Sequence, residues 1–319
     1  MFMDVIFIAV GLVLLFFGGE ALVKGSVSFA RNLGLSKLLV GAVIVGFGTS
    51  MPEMTVSVGA ALKGSSEIAL GNVVGSNIAN ILLIIGLSLL IFPITIAGPA
   101  VRRDAAVMIA ASALLCGFAL LGYLGTWMGI IMVGALFAYV YVSYQQDKKR
   151  SGSVAEHLEE EIEGDQRLKP PVAIAYCIGG LALLVGGAYC LVEGAISIAR
   201  GIGISEAVIG LTIVAVGTSL PELATSIVAA MRKHGDVIIG NIVGSNIFNI
   251  LAILGLTAII QPIPFTGQIA NIDVWVMLAV AVFLSVFLWL GLRMGRIAGV
   301  AMLALYTAYT LWLYMGTVG

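Results

Sequence analysis

The sequence carries very little charge for its length. Only 10 % of its 319 residues are Asp, Glu, Lys or Arg, and the formal net charge is −1. A soluble globular domain carries about 25 % charged residues, so this composition excludes an ordinary soluble domain. The few basic residues form no patch that could bind nucleic acid, so no nucleic-acid partner is predicted.

Cysteine and histidine are scarce as well. The three cysteines, Cys116, Cys177 and Cys190, lie in apolar runs without a Cys-x-x-Cys pair, and the two histidines, His157 and His234, lie in polar loops. Isolated buried thiols usually act as small hydrophobic groups. A soft transition metal needs Cys or His ligands, so the sequence predicts no such site and no cofactor. The lack of histidine in the apolar runs also argues against an intramembrane enzyme.

Long apolar runs make up most of the chain. Apolar residues account for 60 % of it, and the mean hydropathy is +1.11. The runs are about 20 residues long, which is enough to cross the ~30 Å hydrocarbon core of a bilayer. Strands of a membrane barrel would alternate instead, so we predict an all-α polytopic membrane protein. Ten transmembrane helices are expected, at roughly 3–24, 37–62, 67–92, 104–122, 124–144, 171–191, 205–231, 236–262, 273–291 and 297–316.

Two polar motifs occur twice in the chain at one spacing. GTSMPE at 48–53 recurs as GTSLPE at 217–222, and GNVVGSNIAN at 71–80 recurs as GNIVGSNIFN at 240–249. The offset is the same, since 222 − 53 = 169 and 249 − 80 = 169. Other glycines, prolines and charged residues align at this offset, which chance does not explain. The sequence therefore predicts a duplication with a first half, a polar connector and a second half, at 1–144, 145–170 and 171–319.

The two halves are predicted to be inverted in the membrane. Five spans precede the connector and five follow it, so the second half starts from the opposite side, as in many secondary transporters. All but Lys63 and Arg200 of the 16 lysines and arginines lie in loops on one side of this topology. The positive-inside rule places that side in the cytoplasm and both termini outside. The connector is then cytoplasmic, as a short helix or a flexible linker.

Glu53 and Glu222 are the only acidic residues near the middle of a predicted span. A carboxylate at the bilayer centre costs about 2.5–3.5 kcal/mol, so both are expected to face the protein interior and to have a partner. No lysine or arginine lies at the same depth, and the simplest partner is a bound cation. Glu20, Lys24 and Glu193 lie near span ends instead, where a long side chain reaches the membrane surface.

Residues with side-chain oxygens surround both glutamates. Thr49 lies four residues before Glu53 and is expected to share its helix face, and the proline of each motif should free the carbonyl four residues before it. Four helices then supply carboxylate, amide, hydroxyl and carbonyl oxygens, a set that suits hard cations such as Ca2+ or Na+. The other asparagines of the longer motif are interpreted as helix caps or inter-helix hydrogen bonds; these are Asn72, Asn77, Asn241 and Asn246.

The two motifs resemble the α-repeats of the cation/calcium exchanger superfamily, and within it the prokaryotic sodium/calcium exchangers. The resemblance covers nearly the whole chain and implies an antiporter, not an enzyme, that exchanges Na+ for Ca2+ at one central site. It also implies that the first and sixth spans slide past the others. The ligands it implies are side chains of Thr49, Ser50, Glu53, Ser76, Asn80, Thr218, Ser219, Glu222, Ser245 and Asn249, with backbone carbonyls of Gly46 and Ala215.

One position departs from part of the family. Some members carry Asp where this chain has Asn249, so here two carboxylates remain, enough to balance one Ca2+. By resemblance, this makes potassium co-transport less expected, and the Gly-Thr-Ser run before each glutamate favours Na+ over H+ coupling. We predict a plasma-membrane Na+/Ca2+ antiporter whose partners are Ca2+, Na+ and the lipid bilayer. The alternatives are an H+-coupled exchanger of Ca2+ or another divalent cation and, with less support, a channel-like or structural role.

Overall fold

The computed structural model describes residues 2–158, 168–201 and 215–318, and most of these residues are helical. The helices of the first half are α1 (Phe2–Leu33), α2 (Lys37–Thr49), α3 (Met51–Leu62), α4 (Ser66–Ile91), α5 (Pro99–Leu121) and α6 (Thr126–Leu158). Those of the second half are α7 (Pro170–Gly201), α8 (Ala215–Thr218), α9 (Leu220–Met231), α10 (Gly235–Ile260), α11 (Ile269–Leu290) and α12 (Arg296–Val318).

The described helices are long and apolar enough to span a membrane many times. Eight qualify as single helices, and the bent pair α2–α3 makes a ninth. The prediction of a polytopic α-helical membrane protein is therefore confirmed. The predicted span at 205–231 falls partly outside the described residues, and its later part is the short apolar helix α9. Beyond its predicted span, α6 continues to Leu158, so it extends into the predicted connector.

The second predicted span is broken rather than continuous. Helices α2 and α3 meet at Ser50 with a bend of 45°, and the ψ of Ser50 is 6°, outside the α-helical range. Pro52 lies in the first turn of α3, where its missing N–H costs no helical hydrogen bond. The expectation that one continuous helix carries Thr49 and Glu53 is therefore wrong. It is wrong for the second copy too, because the chain breaks in the same way at Ser219.

Helices α1 and α7 lie side by side and antiparallel. A Cβ placed on Gly18 of α1 would lie 2.8 Å from the backbone nitrogen of Leu184, and one on Gly187 of α7 would lie 2.8 Å from that of Leu15. The two backbones touch at these points because the residues have no side chain, as is common between membrane helices. Similar contacts recur seven residues away on either side, at Gly11, Gly25, Gly180 and Gly194.

Helices α4 and α10 form the centre of the molecule. The most apolar stretch of α10 is entirely buried and that of α4 is 67 % buried, whereas those of α1 and α7 are only 28 % buried. Other helices therefore shield the polar motif residues on α4 and α10 from lipid. Two short backbone pairings join loops at the helix ends: β1 (Tyr123–Leu124) with β2 (Ile263–Pro264), and Ile94 with Met294.

Candidate ion-binding site

Glu53 and Glu222 are fully buried, with 0 % of each residue exposed. Each lies in the first turn of a helix, Glu53 in α3 and Glu222 in α9, directly after the proline of its motif. The N-terminal end of a helix carries a partial positive charge, which favours a carboxylate there. The serine before each proline contacts the glutamate of the other motif, so the two carboxylates lie in one region. The helix breaks therefore place both acids together inside the protein.

A serine from the opposite copy of the motif donates a hydrogen bond to each carboxylate. Ser50 Oγ donates to Glu222 Oε1 at 3.0 Å, and Ser219 Oγ donates to Glu53 Oε1 at 2.9 Å. Both serines are the residues at which a helix is interrupted. Each break thus supplies a partner for the glutamate that follows the other break.

The serine contacts also connect the glutamates to the central helices. Ser219 Oγ lies 3.4 Å from the hydroxyl of Ser76, which is a buried residue of α4. Asn80 follows Ser76 by four residues and lies one helical turn further along α4. Ser245 and Asn249 have the same spacing on α10 and are fully buried. The sequence-predicted residues of α3, α4, α9 and α10 therefore converge on one region.

Four side-chain oxygens in this region have no hydrogen-bond partner among the described residues. All four can only accept a hydrogen bond, and all belong to residues that are 0 % exposed: Glu53 Oε2, Glu222 Oε2, Asn80 Oδ1 and Asn249 Oδ1. A buried polar group without a partner costs about 1–3 kcal/mol, and a charged one costs more. Four unpartnered acceptors, two from each copy of the repeat, are the arrangement that a bound cation would satisfy.

Asn80 and Asn249 each begin a π-helical turn, at Asn80–Ile85 in α4 and Asn249–Leu254 in α10. Such turns are common at functional sites because they interrupt the regular backbone bonding of the helix. The amide NH2 group of Asn80 donates to Asn246 Oδ1 at 3.0 Å, and that of Asn249 donates to Asn77 Oδ1 at 3.0 Å. The two amides are thus held by bonds between α4 and α10.

Two further predicted ligands lie where α2 meets α10. The carbonyl of Gly46 accepts a hydrogen bond from Ser245 Oγ at 3.2 Å, and a Cβ on Gly46 would lie 2.9 Å from the nitrogen of Ser245. A carbonyl oxygen has two lone pairs, so that of Gly46 keeps one for another partner. Thr49 is buried and donates to the carbonyl of Val45 at 3.0 Å.

The second copy is described in part. Thr218 is 8 % exposed and ends α8, and Ala215 is the first described residue after the gap that ends at 214. The backbone of Ala215 is therefore placed, while the chain just before it lies outside the described residues. All the other predicted ligands lie within the described ranges and are buried.

Asn72 and Asn241 brace the helices that carry the glutamates. Asn72 Nδ2 donates to Ser57 Oγ at 3.0 Å and to the carbonyl of Glu53 at 3.2 Å. Asn241 Nδ2 donates to Ser226 Oγ at 3.1 Å. Inter-helix hydrogen bonding, one of the two interpretations of these asparagines, is therefore confirmed. The sequence analysis did not single out the two serines, although each follows its glutamate by four residues and they recur at the offset of 169.

The oxygen atoms of the region are of the kinds that a hard cation prefers. Within the described part of the chain, no group of three or more His, Cys, Asp or Glu side chains could hold a metal ion. Two carboxylates with amide, hydroxyl and carbonyl oxygens form a flexible all-oxygen environment, which Ca2+ accepts with six to eight ligands. Their two negative charges balance one divalent ion, and soft metals lack the ligands they prefer.

Comparisons with known proteins agree with this chemistry. A family model described as "Sodium/calcium exchanger protein" matches residues 3–145 and again residues 172–315. A protein of Alkalimonas amylolytica named CaxA is 37 % identical over 303 residues, covering 93 % of this chain and 92 % of that protein. The sodium/calcium exchanger MaX1 of Methanosarcina acetivorans is 32 % identical, covering 95 % of this chain and 96 % of that one.

The fold also matches that of a solved exchanger. A structure of the sodium-calcium exchanger NCX_Mj, soaked with Na+ and Sr2+, has a TM-score of 0.84 and 31 % identity. The match covers 97 % of this chain and 98 % of that chain. The resemblance in sequence and fold therefore extends over almost the whole molecule, and the family is one of transporters. The chain belongs to the sodium/calcium exchanger protein family, in the cation/calcium exchanger superfamily, and resembles its prokaryotic members.

Proposed function

We propose that this protein is an antiporter of the plasma membrane that moves several Na+ ions inward for each Ca2+ it moves outward. The observation that carries the proposal is the set of four unpartnered, buried acceptor oxygens around Glu53 and Glu222. Both ions require these two carboxylates, so binding of one excludes the other. That competition couples the two fluxes. Each charge moved through 100 mV is worth about 2.3 kcal/mol, so the membrane potential contributes when the cycle moves net charge.

The proposed ligands are the residues that the sequence analysis assigned. Carboxylate oxygens of Glu53 and Glu222 supply the charge, and the amide oxygens of Asn80 and Asn249 complete the unpartnered set. Hydroxyl and carbonyl oxygens supply the remaining contacts, from Thr49, Ser50, Ser76, Thr218, Ser219, Ser245, Gly46 and Ala215. Sharing of one set by two kinds of ion is feasible because Ca2+ accepts flexible oxygen geometry.

We place this site near the middle of the membrane, between two inverted halves with ten spans in total and both termini outside. Contacts between loops support the topology. Ile94 pairs with Met294, and both belong to loops predicted to be cytoplasmic. Strands β1 and β2 pair with each other, and both lie at the ends of predicted spans that face outside. Since the loops that meet always come from the same predicted side, these contacts agree with alternating crossings of the membrane.

The two halves are packed differently, which supports alternating access. Val228 of α9 is 2 % exposed and lies under α1, where a Cβ on Gly19 would be 3.0 Å from its Cγ2. The equivalent residue of α3 is Gly59, since 228 − 169 = 59, and a Cβ there would meet nothing within 4 Å among the described residues. Because α9 leads to the side predicted to be cytoplasmic, we interpret this conformation as closed to the cytoplasm and less tightly closed to the outside.

Flux measurements test the proposal directly. The purified protein is reconstituted in liposomes, and Ca2+ uptake is followed with Na+ inside and none outside, with the membrane potential clamped. Uptake that requires the outward Na+ gradient is the expected result. Uptake that ignores Na+ and follows an imposed pH gradient would assign the protein to H+-coupled exchange instead. Ca2+ currents in unitary steps would indicate a channel.

A further inference from the structure

An asparagine that binds a cation must present the correct end of its amide. The carbonyl oxygen is an acceptor and can coordinate a cation, whereas the NH2 group of nearly the same shape is a donor and repels it. A carboxylate has no such requirement, because its two oxygens are equivalent. The roles proposed for Asn80 and Asn249 therefore raise the question of what fixes the orientation of their amides.

A second pair of asparagines contacts the NH2 ends of these amides. Asn246 Oδ1 accepts from Asn80 Nδ2 at 3.0 Å, and Asn77 Oδ1 accepts from Asn249 Nδ2 at 3.0 Å. Each bond crosses from one central helix to the other. With their NH2 groups engaged in this way, Asn80 and Asn249 keep their Oδ1 atoms free of any partner in the described structure.

The orientation of the second pair is in turn fixed by the backbone. Asn77 Nδ2 donates to the backbone carbonyl of Asn246 at 3.2 Å, and Asn246 Nδ2 donates to the backbone carbonyl of Asn77 at 3.3 Å. A backbone carbonyl can only accept, so the NH2 group of each amide must face it. If Asn246 were reversed, its oxygen would face the carbonyl of Asn77 and its NH2 group would face that of Asn80. Both contacts would be unfavourable, so one arrangement of all four amides is consistent.

We propose that Asn77 and Asn246 are positioning residues that turn the amide oxygens of Asn249 and Asn80 towards the transported cation. Their role is to hold the ligand amides, because each Oδ1 of this pair accepts from one ligand amide and each NH2 group donates to a backbone carbonyl. Both residues are 1 % exposed, so water does not replace these bonds. This inference rests on the proposed function, since it concerns ligands of the same ion site. Loss of a residue that orients a ligand typically weakens metal affinity about 10–100-fold.

A double-mutant cycle separates orientation from packing. Direct Ca2+ binding to the purified full chain is measured by calorimetry for Asn246→Ala, for Asn80→Asp and for the double variant. We expect Asn246→Ala alone to raise the Kd for Ca2+ about 10–100-fold. In the Asn80→Asp background the same change should alter the Kd by less than about threefold, the spread seen for independent sites. A carboxylate at position 80 needs no orienting partner, because its two oxygens are equivalent. Removal of Asn246 also removes the unfavourable contact between this carboxylate and Asn246 Oδ1.

The second half provides an independent repeat of the experiment. Asn77→Ala is paired with Asn249→Asp, so a variant that fails to fold in one half leaves the other cycle to decide. Asn72→Ala is the matched control, because Asn72 also donates a hydrogen bond between helices, to Ser57, but its side-chain hydrogen bonds go to Ser57 and Glu53 and not to Asn80. Its effect on the Kd should be equal in the native and Asn80→Asp backgrounds.

Two results would overturn the role proposed for Asn246, and a third would overturn the proposed function as well. A factor for Asn246→Ala that is the same in both backgrounds, as for Asn72→Ala, would show a packing role and overturn the inference. An unchanged Kd in Asn246→Ala would overturn it as well. In either case the proposed function survives if the unsubstituted chain binds Ca2+ and transports it against Na+. Absence of Ca2+ binding by the unsubstituted chain would overturn both.

Discussion

Ser50 and Glu222 are 172 residues apart in the chain, yet the serine hydroxyl donates to the glutamate carboxylate at 3.0 Å. Ser219 and Glu53 make the equivalent contact at 2.9 Å. The two motifs are therefore tied to each other rather than each to itself. A cation bound between the motifs would contact both copies, so a substitution in either copy should weaken binding to a similar extent.

The serine contacts give the first prediction. Ser50→Ala and Ser219→Ala should each weaken the apparent Ca2+ affinity about tenfold or more, because a hydrogen bond to a charged group contributes about 1.5–3 kcal/mol. The affinity is read from Na+-driven uptake at increasing Ca2+ concentration. Ser88→Ala is the control: Ser88 is equally buried but donates to the carbonyl of Ile84 in its own helix. An effect confined to one of the two site serines would contradict the equivalence of the copies.

Neutralising either glutamate should abolish exchange. Glu53→Gln and Glu222→Gln keep the shape of the side chain but leave a single negative charge to balance Ca2+. We expect Ca2+ uptake in liposomes at the level of empty vesicles, with unaltered expression and size-exclusion profiles. Glu67→Gln, an exposed acid at the start of α4, serves as the charge-matched control and should retain normal rates. Near-normal exchange by either site variant would remove the central-site argument.

The contact between α2 and α10 gives a prediction about packing. A Cβ on Gly244 would overlap the carbonyl of Ala42, so Gly244→Ala should force the two helices apart. Overpacking of this kind typically costs about 1–3 kcal/mol. We expect a lower melting temperature in detergent together with reduced uptake. In Gly134→Ala, where the described residues leave nothing within 4 Å of the new Cβ, the melting temperature should be unchanged or higher. An equal melting temperature for the two variants would argue against a close contact between α2 and α10.

An ion pair closes the side of the molecule on which α1 covers α9. Arg232 Nη2 lies 2.7 Å from Glu20 Oε2, and Arg232 Nε donates to Glu20 Oε1 at 3.0 Å. The equivalent positions hold Tyr189 and Lys63, since 20 + 169 = 189 and 232 − 169 = 63, so the pair has no counterpart in the other half. The sequence analysis expected the side chain of Glu20 to reach the membrane surface. It did not predict Arg232 as its partner, because the two residues are far apart in the sequence.

Breaking this ion pair should favour the conformation open to the cytoplasm. Glu20→Arg and Arg232→Glu are each expected to increase that population a few-fold, since an exposed ion pair is worth about 0–1 kcal/mol. The double charge reversal should restore the starting equilibrium. The reporter is Val228→Cys in a chain without Cys116, Cys177 and Cys190, because this position is buried under α1 and reacts with a maleimide only after α1 moves away.

Two outcomes of that labelling experiment would count against the interpretation. One is fast labelling at position 228 before the ion pair is broken. The other is a double reversal that behaves like the single variants. Gly59→Cys is the matched reporter on α3, and it should be labelled readily in the unsubstituted background because no described residue lies within 4 Å of a Cβ at this position.

Much of the candidate site could be found from the sequence because the duplication doubles each signal. Glu53 and Glu222, or Asn80 and Asn249, are conspicuous as polar residues that recur at one offset inside apolar runs. The positioning of the amides could not be found in this way. Which end of an asparagine faces a neighbour depends on the register of α4 against α10, and no pattern along one helix encodes that register.

The helix breaks show a second limit of the sequence. Pro52 predicts a disturbed helix, but apolar periodicity is the same whether the helix bends around the proline or ends before it. The structure begins a new helix at Met51 because proline is tolerated in a first turn and is unfavourable in a helix interior. With the helix interrupted at Ser50, this serine donates to Glu222 of the other motif. The prediction of one continuous helix did not reveal this contact between the two copies.

The close packing of α1 on α7 has a mechanical consequence. Their backbones touch at glycines on both helices, so we expect the two helices to move together rather than separately. In the cycle proposed above, a shift of the pair that uncovers α9 therefore opens the cytoplasmic side of the site, and its return closes that side. In the proposed cycle, closure of the ion pathway then depends on residues that lack side chains and lie on helices other than those that carry the carboxylates.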